Sequence, residues 1–213
     1  MRLFQSLVFA SLAIFAVACS AATEPASSYE LGKQFQVVRE VATPTDAKRV
    51  SVEEFFCFCC PHCYAVDPAI EAWRKQKAPD VDFSFVPNTL GRPDGDVQAR
   101  AFYIAQALGV EDKIHTPLFQ AIHEQRQPMS TLPEVRDLFG SVAGVKPEDF
   151  DQLSSSFVVD ANLRKAENES RSYGVASTPT IVVGGKYSVS GGSPELTKIL
   201  DFLVAKVRKE RKS

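Results

Sequence analysis

The sequence has no hydrophobic run long enough to cross a bilayer, and it has no excess of basic residues. Its 213 residues include 24 Lys and Arg against 26 Asp and Glu, a formal net charge of -2. Such a chain has little positive charge with which to neutralise a phosphate backbone, so we expect no nucleic-acid partner. The 11 Gly, 13 Pro and 5 Cys are too few for a collagen-like or disulfide-dense chain, and no internal repeat is present. The 45% hydrophobic content instead predicts a globular chain with its own core.

The first 22 residues have the features of an export signal. Arg2 is their only charge, and an apolar run over residues 3–18 leads into small residues. This run is shorter than the roughly 20 residues needed to span a bilayer. Residues 16–18 before Cys19 fit ordinary signal cleavage and also resemble a bacterial lipobox, so Cys19 is a candidate site of lipidation. We expect the mature protein to work in the periplasm, where disulfides form and persist, either free or anchored through Cys19.

Hydrophobic periodicity beyond the signal predicts strands at both ends of the chain and helices in the middle. The first strands are followed by a helix and the last strands by another, which indicates an α/β fold with a helical insertion. The predicted elements are strands over 34–38 and 49–59, a helix to about residue 77, a strand over 81–86, helices between 94 and 173, strands over 180–183 and 186–189 joined by a glycine turn, and a helix over 194–209.

The clearest local signal in the helical middle is a capping box. Thr131 is followed three residues later by Glu134, which predicts a helix start at this point. The apolar positions after it predict a buried face made of Val135, Leu138, Phe139 and Val142.

Two cysteines three residues apart carry the predicted chemistry. Cys60 and Cys63 follow a predicted buried strand and open a predicted helix, in a chain with an export signal. Two thiols at this spacing can form one disulfide reversibly, and this setting favours redox chemistry over a zinc site. Free N–H groups at the start of a helix stabilise a thiolate on the first cysteine. We therefore expect Cys60 to be the attacking thiol and Cys63 to be the resolving thiol.

The residues between the two cysteines are expected to tune them. Pro61 suits the first turn of a helix, where no N–H is needed. A protonated His62 would place positive charge and a donor near the Cys60 sulfur and so lower its pKa. Because this stabilises the reduced form, the Cys60–Cys63 disulfide would be oxidising. His115 and His123, in the helical middle, are interpreted as surface or packing residues.

Two further cysteines, Cys57 and Cys59, precede the reactive pair. Alternation along the predicted strand puts both on one face, with their Cα atoms about 6.5–7 Å apart from the rise of about 3.3 Å per residue. This separation is at the edge of what a disulfide can bridge, so the strand assignment predicts no Cys57–Cys59 disulfide. Buried free thiols are the first interpretation, and an accessory redox or metal role for Cys59 is the alternative.

The ordered motifs resemble those of the DsbA thiol:disulfide oxidases. The resemblance runs from about Tyr29 to Lys209 and implies a thioredoxin fold with an inserted all-helical domain. The implied organisation is a signal peptide over 1–22, thioredoxin-like parts over 23–93 and 166–213, and a helical domain over 94–165. The segments that carry the resemblance are Glu54–Tyr64, Gly109–Lys113, Pro117–Phe119, Ser156–Val159 and Gly174–Tyr187.

The same resemblance assigns three further site residues. It implies that Pro179 is a cis-proline facing the reactive disulfide, with the backbone at Thr178 free to pair with a substrate peptide. Many close relatives of this type have Val at the position of Thr178, whereas Thr is common in isomerases and reductases. Glu54 matches a buried acid beneath the active site and is expected to accept the proton of Cys63.

We expect a monomeric oxidase that donates the Cys60–Cys63 disulfide to newly exported proteins. The short segment between the signal and the first strand leaves no room for an isomerase's dimerisation domain. The resemblance implies a DsbB-like membrane quinone reductase as the reoxidant, and the exchange itself needs no cofactor. Two alternatives stay open. One is a reductase or isomerase that uses the same cysteines. The other is a periplasmic metal chaperone that binds metal through Cys59, Cys60, His62 and Cys63.

Overall fold

The computed structural model describes residues 29–44, 46 and 48–212, so the predicted signal peptide and Cys19 lie outside the described residues. The order of strands and helices predicted from the sequence is confirmed. The elements are β1 (Gln36–Val37), β2 (Val50–Phe56), α1 (Pro61–Gln76), β3 (Val81–Pro87), α2 (Pro93–Ala107), α3 (Glu111–His123), α4 (Leu132–Ala143), α5 (Pro147–Ser154), α6 (Phe157–Tyr173), β4 (Thr180–Val183), β5 (Tyr187–Ser190) and α7 (Leu196–Glu210).

The strands form one mixed sheet in the order β1-β5-β4-β2-β3. β2 is parallel to β3 and antiparallel to β4, so the strand that leads into Cys60 lies inside the sheet. Phe55 and Phe56, at the end of β2, are both fully buried although adjacent residues point to opposite faces. The strand end is therefore covered on both sides and provides a rigid base for the residues that follow it.

Helices cover the sheet and also form a group of their own. α7 packs on β2, β4 and β5 and contacts α1, whereas α6 packs on β3. α2 contacts α3, α4, α5 and α6, so it is the centre of the helical group. α6 runs without interruption across residue 165, where the sequence predicts a domain boundary. None of the helices in the described part of the chain is long and apolar enough to cross a membrane.

The capping box predicted for α4 is present, but the predicted buried face is too wide. The Thr131 side chain accepts from the Glu134 N–H, and the Glu134 carboxylate accepts from the Thr131 N–H. Val135 and Phe139 are fully buried, as predicted. Leu138 is only half-buried and Val142 is 40% exposed, so the prediction for Val142 was wrong. The short helix packs on its neighbours along a narrow stripe.

The strand predicted over residues 49–59 ends three residues early. β2 stops at Phe56, and residues 57–60 form a turn closed by a hydrogen bond from the Cys60 N–H to the Cys57 carbonyl at 3.0 Å. β-branched and aromatic residues favour a strand, but β3 ends opposite Phe56, with Pro87 as its last residue. Because the ladder has no partner beyond this point, the aromatic run continues as a turn.

Candidate active site

The turn at residues 57–60 delivers the chain directly into α1. Cys60 is the N-cap of this helix, Pro61 is its first residue and Cys63 is its third. No side chain makes a conventional cap hydrogen bond here, so the N–H groups of the first turn are left facing the Cys60 sulfur. The sequence order strand, turn, helix thus places one thiol of the pair at the helix end and the other on the helix itself.

Cys60 is a half-buried thiol with a lowered pKa. Burial by itself would raise the pKa. Hydrogen bonds from the Thr178 side chain and from the main-chain N–H groups of Cys63 and His62 outweigh burial, because they stabilise the thiolate. In the thiol form, the Cys60 Sγ donates to the Thr178 carbonyl at 3.5 Å. The site therefore favours negative charge on a sulfur that solvent can reach.

Cys63 lies one helical turn further on and has the opposite environment. It is only 1% exposed, and burial raises its pKa far above the ordinary thiol value. A main-chain hydrogen bond from Cys57 lowers the pKa by less than burial raises it, and the negative charges of Cys60 and Glu54 raise it further. Cys63 is thus held as a neutral thiol that must lose a proton before it can attack.

Glu54 on β2 is a buried carboxyl group with no charged partner of opposite sign among the residues that the structure describes. Its side chain is 2% exposed, and none of the ion pairs found among the described residues includes it. Its Oε2 atom has no hydrogen-bond partner in that part of the chain. Burial, followed by the nearby charges of Asp67 and Glu71, raises the pKa of Glu54 to about 8. This carboxyl group therefore gains and loses its proton near neutral pH, close enough to Cys63 to influence it.

Cys57 and Cys59 form a disulfide, which the strand assignment did not predict. Their Cα atoms are 5.1 Å apart, whereas two residues at this spacing in a strand are about 6.5–7 Å apart. The prediction was wrong because residues 57–59 lie in the turn, where the chain folds back. The Cys59 N–H also donates to the Cys57 Sγ at 3.2 Å. Because Cys59 is bridged, it offers no thiolate to a metal ion.

The loop before β4 faces Cys60. The Thr178–Pro179 peptide bond is cis, and Pro179 is buried while Thr178 is half-buried. The Gly191 N–H donates to the Pro179 carbonyl at 2.9 Å, and a Cβ atom at Gly191 would lie 2.3 Å from the Pro179 Cγ. Sequence reasoning missed Gly191. The sequence shows only a Gly-Gly pair after the last strand, and this pair does not indicate that the Gly191 backbone packs against Pro179.

His62 and Pro61 are both exposed beside Cys60. The contact of His62 with the sulfur runs through its main-chain N–H. The predicted role of the His62 imidazole stays a prediction. These exposed residues and the half-buried Cys60 present a reactive sulfur at an open surface. A cleft of about 760 Å³ between the 87–91 segment and α6 is lined by neither cysteine of the pair.

Two histidines interpreted as surface or packing residues support the site from α3. The His123 ring nitrogen Nε2 lies 2.7 Å from the Phe58 carbonyl oxygen, and its ring stacks on Tyr64. His115 is buried with its Nε2 atom 2.8 Å from an Asp67 oxygen. Through these contacts α3 holds both the turn and the first part of α1. Sequence patterns did not predict these contacts, because each histidine and its partner are about 50 or more residues apart in the chain.

Comparison with known proteins agrees with this geometry. A family model described as DSBA-like thioredoxin domain matches residues 79–203. The chain is 33% identical to the thiol:disulfide interchange protein DsbA of Burkholderia cepacia over 99% of this chain and 100% of that protein. It is 32% identical to DsbA of Escherichia coli strain K12 over 78% of each.

Solved structures show the same relationship. The crystal structure of Pseudomonas aeruginosa DsbA has a TM-score of 0.80 at 31% identity and covers 87% of this chain and 97% of its own. The crystal structure of DsbA from Xylella fastidiosa has a TM-score of 0.74 at 30% identity and covers 85% of this chain and 97% of its own. The predicted thioredoxin fold with a helical insertion is confirmed. The chain belongs to the DsbA family of thioredoxin-fold proteins and is a thiol:disulfide oxidoreductase of that type.

Proposed function

We propose that this protein is an oxidase that donates a Cys60–Cys63 disulfide to newly exported proteins with free cysteines. The observation that carries the proposal is the contrast between the two thiols. Cys60 lies at a helix N-terminus with a lowered pKa, and Cys63 is buried with a raised pKa. Stabilising the thiolate of the reduced pair makes its disulfide a stronger oxidant.

The exchange begins when a substrate thiolate attacks the Cys60 sulfur, because Cys63 is out of reach. A bond forms between the substrate sulfur and Cys60, and the Cys60–Cys63 bond breaks. The electron pair leaves with Cys63, whose burial disfavours a thiolate. Glu54, protonated below about pH 8, supplies the proton. A second substrate thiolate then attacks the first substrate sulfur and releases Cys60 as a stabilised thiolate.

The substrate-binding surface is the backbone beside the cis-proline. Thr178 and Pro179 lie next to Cys60, and residues 176–177 before them are exposed. An extended peptide that pairs with this backbone would bring its cysteine to the Cys60 sulfur, with affinity from main-chain hydrogen bonds and little demand on sequence. This suits an enzyme with many unfolded substrates.

Turnover needs a reoxidant, for which we propose a DsbB-like membrane quinone reductase that uses the same surface.

The proposed location is the periplasm, with the protein acting as a monomer. Cys19 is the point of lipid attachment if the signal is processed at the lipobox. The exchange requires no bound cofactor, because the cysteines themselves carry the electrons.

A reductase or isomerase is the second candidate, favoured by Thr178 in place of Val. Its cysteine pair would be far less oxidising. The full chain with Cys19→Ser, equilibrated in a glutathione series, distinguishes the two. Free thiols are trapped by alkylation and located by peptide mapping. We expect Cys60 and Cys63 to be substantially reduced even in mostly oxidised glutathione. A pair that stays bridged until the buffer is strongly reducing would replace the oxidase with a reductase.

A further inference from the structure

We infer that the Cys57–Cys59 disulfide is a second redox-active site, which reoxidises the Cys60–Cys63 pair from within the same chain. The inference rests on the proposed oxidase function and extends it. The structure contains the reactants of this exchange side by side: a bridged Cys57–Cys59 pair and free thiols at Cys60 and Cys63.

The turn brings the two pairs within reach of each other. The hydrogen bond from the Cys60 N–H to the Cys57 carbonyl makes residues 57–60 a β-turn, whose end Cα atoms are less than about 7 Å apart. Disulfides form at Cα separations up to about 6.8 Å, so a Cys57–Cys60 bond is compatible with this turn. A Cys60–Cys63 bond joins the last turn residue to the first turn of α1. Cys60 is therefore adjacent to both possible partners.

Both sulfurs also lie near the start of α2. The Cys57 Sγ lies against Gly95, where an added Cβ would approach it to 3.4 Å. The negative charge of Cys60 acts on Arg92, the N-cap of α2, three residues before Gly95. The Cys57 and Cys60 sulfurs are thus both near the start of α2, and the exchange requires them to meet across the four-residue turn.

Exposure separates this disulfide from an ordinary structural bridge. Cys59 is half-buried at the turn, beside the half-buried Cys60, whereas Cys57 is 5% exposed. A bridge over a single intervening residue closes a very small loop, so it removes little chain entropy from the unfolded state and adds little to stability. Its placement beside a nucleophilic cysteine is better explained by chemistry.

The exchange takes two steps in which the electrons balance. The Cys60 thiolate attacks the Cys57 sulfur, so that a Cys57–Cys60 bond forms, the Cys57–Cys59 bond breaks and Cys59 leaves as a thiolate that takes up a proton. Cys63 then loses its proton and attacks the Cys60 sulfur, and Cys57 leaves. The Cys59 N–H already donates to the Cys57 sulfur and stabilises the charge on it.

The net result is a transfer of two electrons and two protons. The Cys60 and Cys63 thiols become a disulfide, and the Cys57–Cys59 disulfide becomes two thiols. A fully oxidised molecule then holds four oxidising equivalents and can form two substrate disulfides before it meets an external reoxidant.

Counting disulfides per protein tests this directly. The fully oxidised full chain with Cys19→Ser is mixed with excess two-cysteine peptide in the absence of oxygen and any reoxidant, and oxidised peptide is counted by mass spectrometry. We expect about two peptide disulfides per protein, and about one for a Cys57→Ser, Cys59→Ser variant. A yield of one from the chain with all four cysteines would overturn the inference and leave the oxidase intact. A yield of zero from both proteins would overturn the proposed function as well.

A second measurement needs no variant at the turn. After one equivalent of peptide has reacted, thiols are alkylated at increasing times and mapped. At early times we expect the label on Cys60 and Cys63. At later times we expect it on Cys57 and Cys59, and the rate of this change should be independent of protein concentration. Alkylation that stays on Cys60 and Cys63, or a rate that rises with concentration, would contradict exchange within one chain.

Discussion

Cys60 and Cys63 share one helix turn but occupy opposite environments. At Cys60, the helix N-terminus and Thr178 stabilise negative charge on a half-buried sulfur. At Cys63, burial and the neighbouring negative charge of Glu54 oppose it. The difference shows that spacing alone does not assign roles within a Cys-x-x-Cys pair. The roles follow from which thiol faces solvent at the helix end and which faces the core.

The largest effect is expected from removing each thiol in turn. Cys60→Ser should lower peptide oxidation by more than about 10³-fold, because it removes the Cys60–Cys63 disulfide that the substrate thiolate attacks. Cys63→Ser, when given oxidised glutathione, should instead accumulate a Cys60–glutathione mixed disulfide, since the resolving thiol is gone. Mass spectrometry of acid-quenched reactions identifies both products. A mixed disulfide on Cys63 in the Cys60→Ser protein would reverse the assignment.

Glu54→Gln should slow the attack of Cys63 on a Cys60–glutathione mixed disulfide by about 10²-fold near pH 8. In the unaltered chain the rate should rise as Glu54 ionises, with a pKa of about 8, because only the carboxylate accepts the Cys63 proton. Rapid-quench alkylation over pH 5–9 measures this. An unchanged pH profile in the Gln variant would exclude Glu54 as the acceptor.

The same substitution should change stability in a pH-dependent way. The pKa of Glu54 is raised from 4.5 to about 8 on folding, so the folded state holds this proton more tightly than the unfolded state. Stability is therefore lost as the pH rises from 4.5 to about 8. Between pH 5 and 8 the unaltered chain should lose about 3 kcal/mol more than Glu54→Gln does. Urea unfolding at both pH values checks the sign, and an equal loss of stability in Glu54→Gln would contradict a raised pKa of Glu54.

Gly191→Ala tests the cis-proline loop beside Cys60. The added Cβ would lie 2.3 Å from the Pro179 ring, so the loop must shift. We expect a loss of about 1–3 kcal/mol in the free energy of unfolding, together with slower peptide oxidation. Gly192→Ala is the matched control, because a Cβ there would lie 3.8 Å from the nearest atom, the Ser190 Oγ. Equal effects at the two glycines would argue against a special contact at Gly191.

His62→Ala should have the smallest effect. Its main-chain N–H stays in place, so only the contribution of the exposed imidazole to the Cys60 thiolate is lost. We expect alkylation of Cys60 by iodoacetamide at pH 5 to slow a few-fold, where the thiolate fraction limits the rate. An unchanged rate would mean that the helix end and Thr178 account for the lowered pKa of Cys60 by themselves.

Local patterns predicted the parts of the molecule that depend on neighbouring residues. The capping box at Thr131 and the glycine turn at Gly184–Gly185 depend on residues within about four positions, and the structure contains both. The strand at 49–59 was only partly right, because strand propensity does not reveal where a partner strand ends. That error led directly to the wrong prediction for Cys57 and Cys59.

The sequence by itself determined the order of strands and helices and the placement of Cys60 before a helix, because these follow from hydrophobic period, turn residues and helix caps. Tertiary structure decided the rest. It ended β2 at Phe56, buried Glu54 among acidic neighbours, and placed Thr178 beside Cys60 and Gly191 against Pro179. The physical reason is that burial and charge depend on groups that only folding brings together, and these set the different pKa values of two thiols three residues apart.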